Sequence, residues 1–128
     1  MTKKRVLLVD DEISFTSVVK INLETTGNYE VGVENDSSKA IDTAQSFQPD
    51  IIILDIVMPG MDGGDLKRKI SSTPELEGIP ILFVTALASP DEASGDPVVR
   101  SPDGAMLAKP VTTEVLVDTI EKCLAGEL

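Results

Sequence analysis

The chain has 128 residues, a formal net charge of −11, one cysteine and no histidine, so it is expected to form one domain, 1–128, large enough to bury a core without disulfides. The missing histidine argues against zinc hydrolases and serine or cysteine triads, and the negative charge argues against direct binding to nucleic acid or an anionic membrane. The lone Cys123 and the mere four apolar residues between Arg5 and Asp10 fit a cytoplasmic protein with neither a signal-peptide core nor a membrane span.

Val6-Leu7-Leu8-Val9 reads as a strand that runs into Asp10-Asp11-Glu12. Phe15, Val18, Val19, Asn22 and Leu23 then recur at helical spacing, which predicts a first helix stopping near Gly27-Asn28. Residues 29–33 give a second strand. Asn35-Asp36-Ser37-Ser38 supplies N-cap candidates for a second helix, with Ala40, Ile41, Ala44 and Phe47 on its inner face and Pro49 at its end. Ile51-Ile52-Ile53-Leu54 is a short unbroken apolar run, the mark of a central parallel strand covered on both faces. It delivers Asp55 at its carboxyl end; taken alone, that carboxylate could simply end a strand.

A turn over 58–63 follows, and Gly63-Gly64 opens a third helix that carries Leu66 and Ile70 and closes at Pro74. Residues 79–84 form a fourth strand ending in Thr85, with Pro80 tolerated near its start. The alternation of strand and helix calls for a fourth helix within 88–104. Pro90, Pro97 and Pro102, with Gly95 and Gly104, interrupt it, and each proline costs about 3 kcal/mol inside a helix. A loop with at most a turn or two of helix within 91–100 is expected there. Ala105-Met106-Leu107-Ala108 makes the last strand, ending in Lys109-Pro110, and a final helix turns Leu116, Ile120, Cys123 and Leu124 inward.

This pattern predicts an α/β fold with a doubly wound, five-stranded parallel sheet in the flavodoxin-like order 2-1-3-4-5 and a fourth helix that is short or missing. In such a sheet the carboxyl ends of the strands share one edge. Asp10, Asp11, Asp55, Thr85 and Lys109 therefore converge on a pocket at the switch point between the first and third strands. Two carboxylates about 5 Å apart repel by roughly 3 kcal/mol at an effective dielectric near 20, so three of them need a cation or a shared proton. Oxygen ligands without His or Cys favour Mg²⁺. An ammonium and a hydroxyl beside the metal can neutralise a phosphoryl group, while Asp55 supplies a nucleophilic oxygen.

The motifs VDDE at 9–12, LDIVMPGMDG at 54–63, Thr85-Ala86 and Lys109-Pro110 resemble those of a bacterial response-regulator receiver domain, in the family's order and over nearly the whole chain. The resemblance implies that Asp55 is the phosphoacceptor, taking its phosphoryl group from a phosphohistidine of a histidine kinase or phosphotransfer protein and switching the binding of an effector. It further implies that Asp11 and Asp55 bind Mg²⁺ with the backbone carbonyl of Val57, and that Asp10 acts directly or through water. Thr85 and Lys109 would contact the phosphoryl oxygens, across a Lys109-Pro110 bond that is usually cis in the family. The resemblance implies a signalling domain that promotes its own phosphorylation and dephosphorylation rather than an enzyme with a separate substrate.

The chain departs from the family at Met106, where an aromatic switch residue is frequent, at the apolar Val57 and Leu87, and in the proline-rich 88–104 segment. Three other readings compete. A phosphatase of the aspartyl-phosphate class would need an acid two residues past Asp55, where Val57 stands. A flavin-binding domain would need small hydroxyl residues after the first strand, where the acids 10–12 stand. A receiver that has lost switching and serves as an interaction module would keep the fold without the chemistry.

Overall fold

The computed structural model describes residues 2–88, 95–101 and 104–128. The apolar runs become the strands β1 (Lys4–Val9), β2 (Tyr29–Glu34), β3 (Ile51–Leu54), β4 (Ile81–Thr85), β5 (Val99–Ser101) and β6 (Gly104–Ala108), joined in one sheet in the order β2-β1-β3-β4-β6-β5. The first five in that order run parallel and reproduce the expected 2-1-3-4-5 winding. Strand β5 is an addition: it pairs antiparallel with β6, with Val99 opposite Met106 and Ser101 opposite Gly104. Three residues are too short for an alternation to be read from sequence, and their pairing depends on the open edge that β6 presents. The expectation for 91–100 falls partly on 91–94, outside the described residues; the described remainder of that segment contains no helix and ends in this strand. The fourth strand starts at Ile81 rather than 79, and Pro80, which has no donor to give, instead accepts from the Ile52 amide at 3.0 Å.

Successive residues of the buried strands point to opposite faces, as the period of a strand requires. Val6, Leu8, Ile51, Ile53, Leu82, Val84 and Leu107 meet α1 (Ile13–Thr25) and α4 (Thr113–Leu124) in one core. Leu7, Val9, Ile52, Leu54 and Phe83 meet α2 (Ala40–Phe47) and α3 (Gly63–Ser71) in the other. Leu116, Ile120 and Cys123 are buried as expected, and Leu124 packs against the same core.

Local chemistry fixes the helix ends. Asp62 caps α3 by accepting from the Asp65 amide at 2.8 Å, and Thr112 caps α4 by accepting from the Val115 amide at 3.2 Å. A single 3₁₀ turn, Ser37–Lys39, precedes α2 and is capped by Asp36. α2 closes at Gln48, in the left-handed region at φ 52°, before Pro49 stops it. The phase of α1 differs from the expected one. Its buried stripe is Thr16, Val19 and Leu23, whereas Val18 is 56% exposed; with Thr16 turned inward, its hydroxyl accepts from the Asn35 side-chain amide at 3.0 Å.

This phasing separates two adjacent valines. Val19→Ala is expected to lower unfolding free energy by about 1.5–3 kcal/mol and Val18→Ala to stay within about 0.5 kcal/mol, read by urea titration; equal losses would contradict the phase.

Candidate functional site

The parallel ladder continues one residue past several strands and thereby fixes the backbone of the polar rim. The Asp10 amide donates to Glu34 O at 3.1 Å, the Asp55 amide to Val9 O at 3.1 Å and the Lys109 amide to Thr85 O at 3.0 Å. Asp10, Asp55 and Thr85 are buried, and Asp11 is exposed at the mouth. Lys109 extends from the end of β6 and is followed by a cis bond to Pro110, in line with the resemblance.

Lys109 is the hub of the site. Its Nζ lies 2.7 Å from Asp10 Oδ2, 3.1 Å from Asp55 Oδ2 and 3.5 Å from Glu12 Oε1. Burial opposes charge on Lys109, but Asp10 and Asp55 outweigh it and hold the ammonium above the ordinary lysine range. Burial pushes the Asp10 carboxyl up, and Lys109 draws it only partway back. Asp10 is also held through its other oxygen, which accepts from the Glu12 amide at 2.9 Å.

Carboxylate oxygens of Asp10, Asp11 and Asp55 lie within 4.8 Å of one another, so the three could hold a metal ion. Asp10 Oδ2 is enclosed and lies 2.7 Å from the Lys109 ammonium, so a cation already stands against this oxygen. The donor set is all oxygen, which suits a hard divalent cation. Thr85 stands at the end of β4, opposite Ala108 in the register, and its hydroxyl accepts from the Leu87 amide at 3.3 Å. The Val57 amide points at Asp55 Oδ1 at 3.3 Å. Val57 and Leu87 are 58% and 63% exposed, an apolar flank on each of the loops that follow Asp55 and Thr85.

The structure thus gathers Asp10, Asp11, Asp55 and Lys109 within direct reach, ties Thr85 to Lys109 through the backbone, and ties Val57 to Asp55. It also adds residues that the sequence pattern did not single out. Asn35 is a positioning residue rather than a helix cap: its amide nitrogen donates to Asp10 O at 2.8 Å and to Thr16 Oγ1 at 3.0 Å. Gly63 is required by close approach, since a Cβ there would meet Asp55 O at 2.5 Å and Ile56 Cα at 2.8 Å; the Gly63-Gly64 pair was a visible signal for it. Glu12 and Phe15 complete the surroundings of Lys109, the Phe15 ring centroid lying 4.3 Å from Nζ. No pattern of spacing could show that contact.

Fold and site together define a doubly wound α/β domain with a lysine-paired acidic pocket at its switch point. The family model of the response regulator receiver domain matches residues 6–121, and the chain belongs to that family of signalling domains. Protein PilH of Pseudomonas aeruginosa is 33% identical over 124 residues, 95% of this chain and 98% of that protein. Response regulator PleD of Caulobacter vibrioides is 36% identical over 114 residues, 88% of this chain but 24% of PleD, so the chain spans about a quarter of that longer relative. Among solved structures, chemotaxis protein CheY4 of Vibrio cholerae is similar with a TM-score of 0.79 and 31% identity, covering 95% of this chain and 99% of that one.

Because Lys109 already neutralises the acids, it competes with any second cation. Lys109→Met is expected to tighten Mg²⁺ binding by about tenfold, measured by titration calorimetry; unchanged binding would mean that the ammonium and the metal site are independent, weaker binding that they cooperate, and either would contradict the competition.

Proposed function

We propose that Asp55 accepts a phosphoryl group from a phosphohistidine on a histidine kinase or phosphotransfer protein, and that the modification switches binding of an effector. The observation that carries this reading is the Asp55 carboxylate, buried, 3.1 Å from Lys109 Nζ and beside two further acids. A nucleophilic oxygen, a fixed ammonium and a cation-binding carboxylate set are what an incoming phosphoryl group needs.

In the proposed transfer, an Asp55 oxygen forms the new P–O bond as the donor's P–N bond breaks, and the electron pair stays on the donor imidazole, which takes up a proton. Lys109 and the Thr85 hydroxyl meet the phosphoryl oxygens as their charge redistributes. Asp10, Asp11, Asp55 and the Val57 carbonyl are the proposed holders of Mg²⁺, which when bound would offset the charge of those oxygens. The chain itself supplies this constellation, so it promotes its own modification from small donors as well. We further propose that residues 1–128 act as one receiver unit in the cytoplasm; no helix among the described residues is long and apolar enough to cross a membrane.

Incubation with a small acyl phosphate and Mg²⁺ is expected to add one phosphoryl group to the wild type and none to Asp55→Asn, read by intact mass and peptide mapping; modification persisting in Asp55→Asn would place the acceptor elsewhere.

The apolar Val57 and Leu87 offer no group to orient a hydrolytic water, so the acyl phosphate is expected to be long-lived. Replacing them together with Asn and Glu should speed its decay by about tenfold, or roughly 1.4 kcal/mol of barrier. Unchanged decay would show that these side chains do not govern water attack.

A further inference from the structure

We propose that Phe15 is a positioning residue for Lys109: its ring holds the ammonium over the rim and keeps it beside Asp55 when a divalent cation competes for the acids. The inference rests on the reading of Asp55 as the phosphoacceptor. Lysine is a point charge on a flexible four-carbon stem, and the ladder fixes only its backbone, through the bond from the Lys109 amide to Thr85 O. The position of Nζ must come from its side-chain surroundings. Those are Asp10, Asp55 and the exposed Glu12, together with the Phe15 ring at 4.3 Å, inside the roughly 6 Å reach of a cation–π contact.

These partners respond differently when the site is used. Asp10 and Asp55 belong to the set that could hold a metal, so a cation bound there weakens their pull on Lys109. Modification of Asp55 changes that partner again. The Phe15 ring is a neutral partner that neither event consumes. With the Lys109 side chain only 13% exposed, the contact is largely shielded from water, where such contacts are strongest.

Cations also lie over the other two phenylalanines, Arg5 over Phe47 at 4.3 Å and Lys67 over Phe83 at 5.7 Å. At Phe15 the cation is the one that touches Asp55. Phe15 itself is partly buried and lines a cavity of about 340 Å³ between α1 and the start of α4, with Val18, Leu23, Pro110 and Leu116. A smaller side chain there enlarges an existing space without stripping the central core.

The test compares wild type with Phe15→Leu, which keeps an apolar side chain and removes the ring, and Phe15→Tyr, which keeps the ring. Phe15→Met replaces the leucine variant if that one does not fold. Proton NMR of the Lys109 ε-methylene, with and without Mg²⁺ and with no phosphodonor, should show ring-current shielding in wild type and Phe15→Tyr and its loss in Phe15→Leu. With a small acyl phosphate at saturating Mg²⁺, Phe15→Leu should be modified about three- to tenfold more slowly and Phe15→Tyr at the wild-type rate. A wild-type rate in Phe15→Leu, a rate in Phe15→Tyr as slow as in Phe15→Leu, or shielding that does not depend on the ring would overturn the proposal. Failure of wild type to be modified at Asp55 would instead sink the phosphoacceptor reading, and the NMR would still report on the Lys109–Phe15 contact.

Discussion

Three carboxylates whose oxygens lie within 4.8 Å of one another repel each other, and the fold offsets that repulsion by placing an ammonium beside Asp10 and Asp55. Lys109 is remote in sequence from Asp10 and Asp55, yet the parallel winding sets the ends of β1, β3, β4 and β6 along one rim. In a sheet with mixed directions at its centre, the same residues would be divided between two opposite edges. The antiparallel strand lies at the outer edge, where among the described residues β5 pairs with β6 alone, so it leaves that convergence intact.

The rim is also held from behind. Asn35 ties Asp10 O to Thr16 on α1, which explains why a threonine occupies the buried stripe of that helix where an aliphatic residue would otherwise pack. On the other side of the sheet, Gly63 lets the start of α3 lie against the backbone of Asp55, and its amide donates to Ile56 O at 2.7 Å. The Ser37 hydroxyl donates to Pro59 O at 3.2 Å, so the loop after Asp55 is anchored to the turn before α2. The acidic pocket is therefore set by backbone and supporting side chains on both faces of the sheet, and the precision of the site does not depend on the acids alone.

Much of this was legible in the sequence because the informative signals were local. Runs such as Ile51-Ile52-Ile53-Leu54 announce buried strands, and the polar residue after each run marks the rim. What was not legible depended on contacts across the fold. Val18 is exposed while Thr16 turns inward to accept from Asn35, a bond that a hydrophobic period does not weigh. The strand at Val99–Ser101 exists through its partner. Asn35 was one of four cap candidates before the second helix; Asp36 caps the 3₁₀ turn that leads into α2, while Asn35 turns to Asp10 O, which only the folded sheet brings within its reach. Met106, which stands where the family resemblance expects an aromatic ring, packs partly buried beside the core that contains Phe83; a flexible thioether fills that place, so movement there would be repacking rather than rotation of a ring.

The central claim is that the acids of β1 and β3 and the ends of β4 and β6 form one cation-binding pocket. Titration with Mn²⁺, followed by paramagnetic broadening of backbone amide signals, tests it most directly. The account predicts that broadening at low Mn²⁺ centres on residues 10–12, 55–57, 85–87 and 109 together, and that Asp11→Ala weakens it at all of them. Broadening centred on another acidic surface, or on one of these segments without the others, would contradict it.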